Sequence, residues 1–286
     1  MERDNKWYPG HIEKAKRRIK EKVKAVNCVI EMIDARIPYS GRAYEWKTMF
    51  HNKQSVILLT KSDLADDKTT EEWTEYYRKQ GSIVLPISLK ADPGKIKKDL
   101  LRVKGHIKSK SPLKRAMIVG IPNVGKSTLV NALLGKKKLS VGNKPGVTRG
   151  VQWIHIDSEF LLMDTPGIIY KNLFSKHVKY KLFLSGCINA DQKIVDEALE
   201  FGLDFLKDEY SEVFSSWMDK LGFEYDGDLE QFKERIAMKK GFLNKGGIPD
   251  ISRSETFLIQ SFNTCTFGKV TFENVEKLFT EEIEEE

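Results

Sequence analysis

The chain has 286 residues, of which 40% are hydrophobic and 10% aromatic, so it is long enough to bury a substantial core. Its formal net charge is +7, and because residues 281–286 are strongly acidic, the remainder is more basic and favours a polyanion such as RNA as a partner. No apolar run approaches the roughly 18 residues of a membrane span, and no secretion signal is visible, so we expect a cytoplasmic protein without membrane contact. The cysteines Cys28, Cys187 and Cys265 lie far apart with no histidine at metal-ligand spacing, so we expect neither zinc nor disulfides.

The first part of the chain alternates strand-like and helix-like segments. Short, nearly continuous apolar runs, typical of strands buried on both faces of a parallel sheet, lie at 26–33 and 55–59, and further strands are indicated at 83–87, 115–119, 151–156 and 160–163. Helical spacing appears between them at 70–79 and 127–134. This alternation predicts an α/β fold with a doubly wound, mostly parallel sheet.

Beyond about Tyr180 the pattern changes. Apolar residues recur with helical spacing at 194–206, 212–221, 229–239 and 254–262, separated by Gly, Asn and Asp. We therefore predict a first domain at 1–178, with a basic amino-terminal segment, and a smaller, mainly helical domain at 179–286. The basic run at 104–112 indicates a linker.

In chain order, the first candidate binding motif is Thr60-Lys61-Ser62-Asp63, which follows a buried strand. A carboxylate can accept hydrogen bonds from both the ring N–H and the exocyclic amine of guanine, whereas adenine offers no such pair, so Asp63 would select GTP with Lys61 packed along the base. Ser88-Leu89-Lys90 follows the next strand and would bring a backbone amide towards the guanine carbonyl. Either motif alone is better explained as a charged turn, but both at strand carboxyl ends of one sheet favour a guanine site.

The second motif is the segment 120–127, which matches the Walker pattern, follows an apolar strand and opens a helix. Its glycines let backbone amides wrap the phosphates, Lys126 would neutralise the β- and γ-phosphates, and Ser127 would hold Mg²⁺. The predicted phosphate-binding set is Pro122, Asn123, Val124, Gly125, Lys126, Ser127 and Thr128.

The remaining nucleotide motifs lie downstream of that loop. Asp164-Thr165-Pro166-Gly167 follows a strand, so Asp164 would reach Mg²⁺ through water while the Gly167 amide senses the γ-phosphate. Between the two motifs, Thr148 would supply a second hydroxyl ligand for Mg²⁺. That assignment rests on position, and a surface turn is the alternative. The predicted Mg²⁺ ligands are thus Ser127, Thr148 and Asp164.

The order of these motifs is unusual, because the guanine motif precedes the phosphate loop. In an ordinary Ras-like GTPase the phosphate loop comes first, so either one match is accidental or the domain is circularly permuted. Five motifs that fall into one rotated but consistent series favour the permutation.

The series TKSD, SLK, GIPNVGKS, PGVTR and DTPG resembles the circularly permuted GTPases. Trp7-Tyr8-Pro9-Gly10-His11 and Asp34-Ala35-Arg36-Ile37-Pro38 resemble the ribosome biogenesis GTPase A family, as does the ending with Gly246, Gly247, Asp250, Arg253, Phe262 and Gly268. The resemblance implies a circularly permuted Ras-like P-loop GTPase domain, followed by an RNA-binding helical domain. Thr60 departs from the family's usual Asn and Leu89 from its usual Ala. The Thr60 hydroxyl would still hold the loop, although the missing amide would lower guanine affinity.

The resemblance also implies a GTPase that binds the precursor of the large ribosomal subunit, including its RNA and proteins, and assists a late step of assembly. We expect a monomer off the ribosome. Two alternatives remain open: a GTP-dependent RNA-binding switch whose hydrolysis is incidental, and a GTPase that serves tRNA or a small-subunit precursor.

The chemistry of hydrolysis has its own candidates. Ile168 stands where Ras-like enzymes have a water-orienting Gln, so intrinsic hydrolysis should be slow. The resemblance proposes His11 as the water-orienting group, although a residue that only contacts RNA is the alternative. In similar potassium-activated GTPases the residue at Asn123 coordinates K⁺, whereas an Asn that caps the turn is the alternative. Together with Lys126, these residues predict hydrolysis that K⁺ and large-subunit particles stimulate.

Overall fold

The computed structural model describes residues 17, 19–42, 50–134, 152–165 and 175–277. The chain divides into two compact units. The first takes the described residues of Met1–Asp34, Gly41–Lys61 and Glu71–Leu173, and the second takes those of Ala35–Ser40, Ser62–Thr70 and Phe174–Glu286. The second unit therefore contains two short segments from the amino-terminal part of the chain besides the carboxyl-terminal region.

The first unit is built on a six-stranded sheet. Its strands are β1 (Cys28–Asp34), β2 (Gln54–Thr60), β3 (Ile83–Ile87), β4 (Lys114–Val119), β5 (Gln152–Asp157) and β6 (Phe160–Asp164). They lie in the order β3-β2-β1-β4-β6-β5. Every neighbouring pair is parallel except the hairpin of β5 and β6. The predicted α/β class and mostly parallel sheet are confirmed.

Burial of the central strands explains their nearly unbroken apolar sequence. Every residue of β1 is buried, including Glu31, whose carboxylate pairs with the Arg42 guanidinium at 2.7 Å. A parallel sheet is covered on both faces, so a central strand such as β1 has no exposed face for unpaired polar side chains. On one side of the sheet Val29, Met117 and Met163 pack with Ile19 and Val23 from the segment that precedes β1.

Three helices with defined bounds accompany the strands: α1 (Asp67–Lys79), α2 (Pro93–His106) and α3 (Lys126–Leu134). Helix α2 was not predicted, and the interpretation of 104–112 as a linker was wrong at its start, since Lys104 belongs to the last turn of α2. The Asp92 carboxylate caps this helix by accepting from the Gly94 and Lys95 amides, and Pro93 occupies its first turn. The Lys104 ammonium also binds the Asp157 carboxylate at 2.8 Å, which fixes the run to the sheet.

The second unit is mainly helical. Its helices are α4 (Lys176–Leu184), α5 (Gln192–Glu209), α6 (Ser211–Leu221), α7 (Leu229–Lys240) and α8 (Ile251–Thr264). Side chains cap four of their amino termini, from Ser175, Asp191, Asp228 and Asp250. None of the described helices has the length and apolarity needed to cross a bilayer.

Aromatic rings and one close backbone approach form the core of this unit. Trp217, Phe262 and Phe267 pack with ring centroids 4.9–6.1 Å apart. Gly202 of α5 allows the approach of α8, because an added Cβ would lie 2.7 Å from the Phe262 ring. Cys187 and Cys265 of this unit are buried, as is Cys28 of the first unit, and none of the three forms a disulfide.

Arg36 is the largest buried cation of the second unit, with 0% of its surface exposed. Its guanidinium donates to the Phe262 and Asn263 carbonyls at 3.0 Å, in the last turn of α8, and to the Ser185 carbonyl at 2.8 Å, at the end of α4. The carbonyls at a helix carboxyl end lack intrahelical donors and carry partial negative charge. One buried cation therefore satisfies two helix ends at once.

Candidate nucleotide-binding site

Four of the five predicted motifs fall within the described part of the chain, and they lie side by side along one edge of the sheet. Because β3, β2, β1, β4 and β6 are mutually parallel in that order, their carboxyl ends meet at the same edge. Along this edge come Ser88 after β3, Thr60 at the end of β2, Asp34 at the end of β1, the phosphate loop after β4, and Asp164 at the end of β6. Motifs that appear rotated in the chain are therefore contiguous in the sheet, with the guanine elements on one side of the loop and Asp164 on the other.

The backbone of the phosphate loop needs special residues at three positions. Gly120 has a φ of 154°, and an added Cβ would lie 2.5 Å from the Met32 carbonyl oxygen. Gly125 has a φ of 103° and Asn123 a φ of 60°. Asparagine is one of the few residues other than glycine that tolerate this left-handed region. The conformation alone therefore accounts for the residue type at Asn123, independently of any bound cation.

Lys126 is the buried cation of the loop, with 8% of its surface exposed. Its ammonium donates to the Gly120 carbonyl at 2.8 Å and to the Ile121 carbonyl at 2.6 Å. The residue also begins α3, whose amino end adds free backbone N–H groups and partial positive charge. Ser127 and Thr128 occupy the next two positions of α3, so the loop and helix together form an anion-binding cradle.

Asp164 is the buried acid of the site. Only 2% of it is exposed, and within the described part of the chain neither carboxylate oxygen has a hydrogen-bond partner. Burial raises the pKa of this carboxyl group, while the nearby Lys126 charge and the Thr165 amide offset part of the shift. An unsatisfied carboxylate is costly to bury, and hard oxygen ligands are what Mg²⁺ prefers. The two orphaned oxygens therefore fit the predicted magnesium role.

Thr60 joins the end of β2 to the phosphate loop. Its side chain is completely buried, and its hydroxyl lies 2.8 Å from the Val124 carbonyl oxygen and 3.1 Å from the Ile33 carbonyl oxygen. A hydroxyl carries one proton, so it donates to one of these acceptors at a time. The contact with Val124 holds the loop, as we expected of a threonine at this position.

Lys61 has a partner that the sequence interpretation missed. Its ammonium pairs with the fully buried Asp34 carboxylate at 2.8 Å, and its backbone has a φ of 54°. Asp34 is the register partner of Thr60 across β1 and β2, so Lys61 lies one residue beyond it. An acid at the carboxyl end of a mostly apolar strand was the signal that could have identified Asp34.

Leu89, the second departure from the family pattern, packs against the phosphate loop. A Cβ added at Gly125 would lie 2.5 Å from Leu89 Cδ1, so this leucine covers the glycine. The Ser88 hydroxyl accepts from the Lys90 amide at 3.3 Å, which closes a turn after β3. These residues lie in the same unit as the loop.

Ser62 and Asp63 follow Lys61 directly and are partly exposed. The residues His11, Thr148, Gly167 and Ile168 lie outside the described part of the chain.

A phosphate loop between a central parallel strand and α3, with an aspartate at the end of β6 and a guanine motif that precedes the loop in the chain, defines a circularly permuted P-loop GTPase. The family model described as "50S ribosome-binding GTPase" matches residues 115–214. A Thermotoga maritima protein named Ribosome biogenesis GTPase A is 39% identical over 95% of this chain and 95% of its own length. A protein of the same name from Priestia megaterium is 36% identical over 94% of this chain and 96% of its own. The chain belongs to the ribosome biogenesis GTPase A family.

Solved structures agree with that assignment. The GDP-bound structure of TM YlqF is 34% identical, with a TM-score of 0.64, over 91% of this chain and 99% of that one. The GNP-bound YlqF from T. maritima is 35% identical, with a TM-score of 0.65, over 91% and 98%. The predicted family and the permuted GTPase fold are therefore confirmed, and the protein is a GTP hydrolase of ribosome biogenesis.

Proposed function

We propose that this GTPase promotes a late step in the assembly of the large ribosomal subunit, hydrolyses GTP slowly by itself and is stimulated by large-subunit particles and K⁺. The observation that carries the nucleotide part is the row of four described motifs along one sheet edge, with Asp164, whose carboxylate has no hydrogen-bond partner among the described residues, at one end. The family model's description, "50S ribosome-binding GTPase", supports the choice of the large subunit.

GTP and GDP would bind along this edge, with the guanine at the β2 and β3 side. Asp63 would accept from the two guanine donors, and Lys61 would leave Asp34 only partly, because a flexible side chain can lie along the base while its ammonium stays near that carboxylate. Lys126 would exchange its loop carbonyls for phosphate oxygens. Ser127, Thr148 and Asp164 would hold Mg²⁺, which neutralises charge on the β- and γ-phosphates when it is bound.

Two residues would account for the stimulated reaction. Asn123 lies within the phosphate loop, where an amide oxygen turned towards the phosphates would bind K⁺. His11 would orient the attacking water once the particle is bound, in place of the glutamine that Ile168 replaces.

RNA contact is proposed for the region 179–286. Residues 238–249 contain Lys239, Lys240 and Lys245 and no acidic residue, and all three lysines are exposed. Met238 and Ile248 are also exposed, at 62% and 63%, although they are large and apolar. Cations beside exposed apolar groups suit a ligand with phosphates and unstacked bases, as single-stranded RNA has.

Two cation–π contacts stabilise the surface formed by residues 238–249. The Arg253 guanidinium lies 4.5 Å from the Phe242 ring centroid, and the Lys240 ammonium lies 4.9 Å from that of Phe257. These contacts hold two cations beside the turn that joins α7 and α8. We propose this surface as the RNA-facing part of the helical region.

The decisive measurement is GTP turnover with purified large and small subunits, each in K⁺ and in Na⁺. We expect strong stimulation by the large subunit in K⁺ and little by the small one. Equal turnover in K⁺ and Na⁺ would exclude the cation role, and no response to large subunits would exclude the proposed substrate particle.

Asn123 offers a matched pair for the K⁺ test. The Asn123→Gly variant tolerates the positive φ but removes the ligand oxygen, so K⁺ stimulation should disappear while GDP affinity persists. Asn123→Asp keeps an oxygen and should retain part of the stimulation.

The alternatives give different outcomes in cells. Profiling ribosomal subunits after depletion should reveal an immature large particle, whereas a small-subunit defect would favour the other assembly role. If a variant that binds GTP but cannot hydrolyse it supports normal assembly, the RNA-binding switch with incidental hydrolysis is the better account.

A further inference from the structure

The chain beyond α8 forms a buried segment at residues 268–273, which we call the carboxyl-terminal strap. It begins at Gly268, whose φ is 148° and where an added Cβ would lie 3.1 Å from Val213 Cγ1. Four consecutive residues of the strap are almost inaccessible, with 0% of Val270, 3% of Thr271, 2% of Phe272 and 7% of Glu273 exposed. Buried backbone outside a helix or strand requires defined partners for its polar groups.

One set of partners lies in the loop that follows β2, directly after the guanine-reading motif. The Val270 amide donates to the Leu64 carbonyl at 3.1 Å, and the Asp66 amide donates to the Thr271 hydroxyl oxygen at 3.1 Å. The strap therefore holds this loop at two points within three residues of Asp63.

A second set lies in the loop that follows β1. The Phe272 amide donates to the Arg36 carbonyl at 2.7 Å. The Glu273 carboxylate accepts from the Tyr39 amide at 2.6 Å, from the Ser40 amide at 3.1 Å and from the Ser40 hydroxyl. Consecutive residues of the strap thus bind the two loops that leave adjacent strands.

The strap is anchored to the helices as well. The Tyr210 hydroxyl, between α5 and α6, accepts from the Thr271 amide at 3.0 Å and donates to the Thr271 carbonyl at 3.2 Å. The Phe205 ring of α5 lies 5.2 Å from the Phe272 ring. Thr271 is therefore bonded to the β2 loop through its hydroxyl and to the helices through its backbone.

We propose that the strap positions Asp63 for guanine recognition, with Thr271 and Tyr210 as positioning residues remote from it in the chain. The proposal rests on the proposed role of Asp63. A carboxylate that must meet the ring N–H and the exocyclic amine together tolerates displacements of only about 0.5 Å. Asp63 is one peptide unit from Leu64, so the strap's bond to that carbonyl limits the displacement.

The coupling is reciprocal. If guanine binding favours the hydrogen-bonded arrangement of the strap, a ligand of the helices that disturbs the Tyr210 hydrogen bonds lowers guanine affinity by some factor. Guanine then lowers the affinity for that ligand by the same factor. The strap would thereby connect a ligand of the helices to the nucleotide.

The test compares GDP with inosine diphosphate, which lacks the exocyclic amine. In Thr271→Val, loss of the hydroxyl should reduce the ratio of GDP to inosine diphosphate affinity by about 2- to 12-fold, the value of one hydrogen bond. A merely structural defect would weaken both ligands equally and leave the ratio unchanged. Thr266→Val, the same substitution at an exposed site just before the strap, should match the wild type.

Tyr210→Phe is the second variant, since it removes only the hydroxyl that anchors the strap, and it should lower the same ratio. Hydrogen exchange of the wild-type protein supplies a measurement that needs no variant. GDP should slow exchange across 268–273 more than inosine diphosphate at equal occupancy. An unchanged ratio in both variants, or equal protection by the two nucleotides, would overturn the proposal.

Asp63→Asn separates this proposal from the one on which it rests. If that variant keeps the wild-type preference for GDP, the guanine role of Asp63 fails. If it loses the preference while Thr271→Val and Tyr210→Phe retain it, Asp63 reads guanine and the strap proposal alone fails.

Discussion

The buried hydroxyl of Thr60 is the most direct link between the guanine motif and the phosphate loop. Thr60→Val keeps the branched shape and removes only the donor that lies 2.8 Å from the Val124 carbonyl. Loss of a typical hydrogen bond costs about 1 kcal/mol, and a buried acceptor left unpaired costs about 1–3 kcal/mol. We therefore expect the free energy of unfolding to fall by about 1–3 kcal/mol, with GDP affinity lowered by about 5- to 150-fold where the loop shifts.

Urea denaturation and titration with a fluorescent GDP analogue measure these two quantities. Thr60→Ser is the matched control, because it loses a methyl group but keeps the donor, and its GDP affinity should stay near that of the wild type. Thr60→Asn should also bind GDP, since its amide can donate to the same carbonyl. If Thr60→Val binds GDP like the wild type, or if Thr60→Ser is equally impaired, the hydroxyl does not hold the loop.

Three further predictions concern buried charges. In Asp164→Asn the Mg²⁺ concentration for half-maximal nucleotide binding should rise by about 10- to 100-fold, as expected when a group that orients metal-bound water is lost. The metal-free variant should be no less stable than the wild type, because the buried carboxylate that has no partner among the described residues is gone. A Mg²⁺ titration and a thermal melt measure these two effects, and an unchanged Mg²⁺ concentration for half-maximal binding would contradict the first. Arg36→Met should lower the free energy of unfolding by about 3 kcal/mol or more, because it leaves the carbonyls of two helix ends unpaired; equal urea midpoints would refute this. Burial raises the pKa of Glu273 above its ordinary value of 4.5, against the opposing charge of Lys181, so between these two pKa values the native state holds a proton that the unfolded chain releases. The stabilisation that this proton provides is complete below pH 4.5 and is lost as the pH rises through the native pKa. The stability of Glu273→Gln relative to the wild type should therefore increase with pH in melts from pH 4 to 8. A difference that is constant or falls with pH would show that the native pKa is not raised.

The elements that the sequence predicted well are those with local signals. The runs that became β1, β2, β3, β4 and β6 are short, apolar and bounded by turns, and those inside the parallel sheet are apolar because they bury both faces, whereas β3 lies at its edge. Helix α2 was missed because its start, Asp92-Pro93-Gly94, resembles a turn, although the same Asp and Pro serve as cap and first helical residue. The helical spacing of the buried residues Ile96, Leu100 and Val103 was the sequence signal that indicated this helix.

In the candidate site, too, some features had local sequence signals and others did not. Residue types and spacing predicted the phosphate loop, the role of Asp164 and the guanine motif, since each combines a local backbone conformation with one chemical group. The partners of those groups were not predictable, because Asp34 meets Lys61, and Leu89 covers Gly125, only through the strand order.

By itself, the sequence determined the GTPase class of this protein and the rotated order of its motifs, because those depend on residue identity along a continuous chain. Only the tertiary structure decided which groups share one sheet edge, that the Asp164 carboxylate has no hydrogen-bond partner in the described part of the chain, and that residues 268–273 bind the loops after β1 and β2. Hydrogen bonds between residues far apart in the chain form where packing places them, and no local pattern encodes that placement.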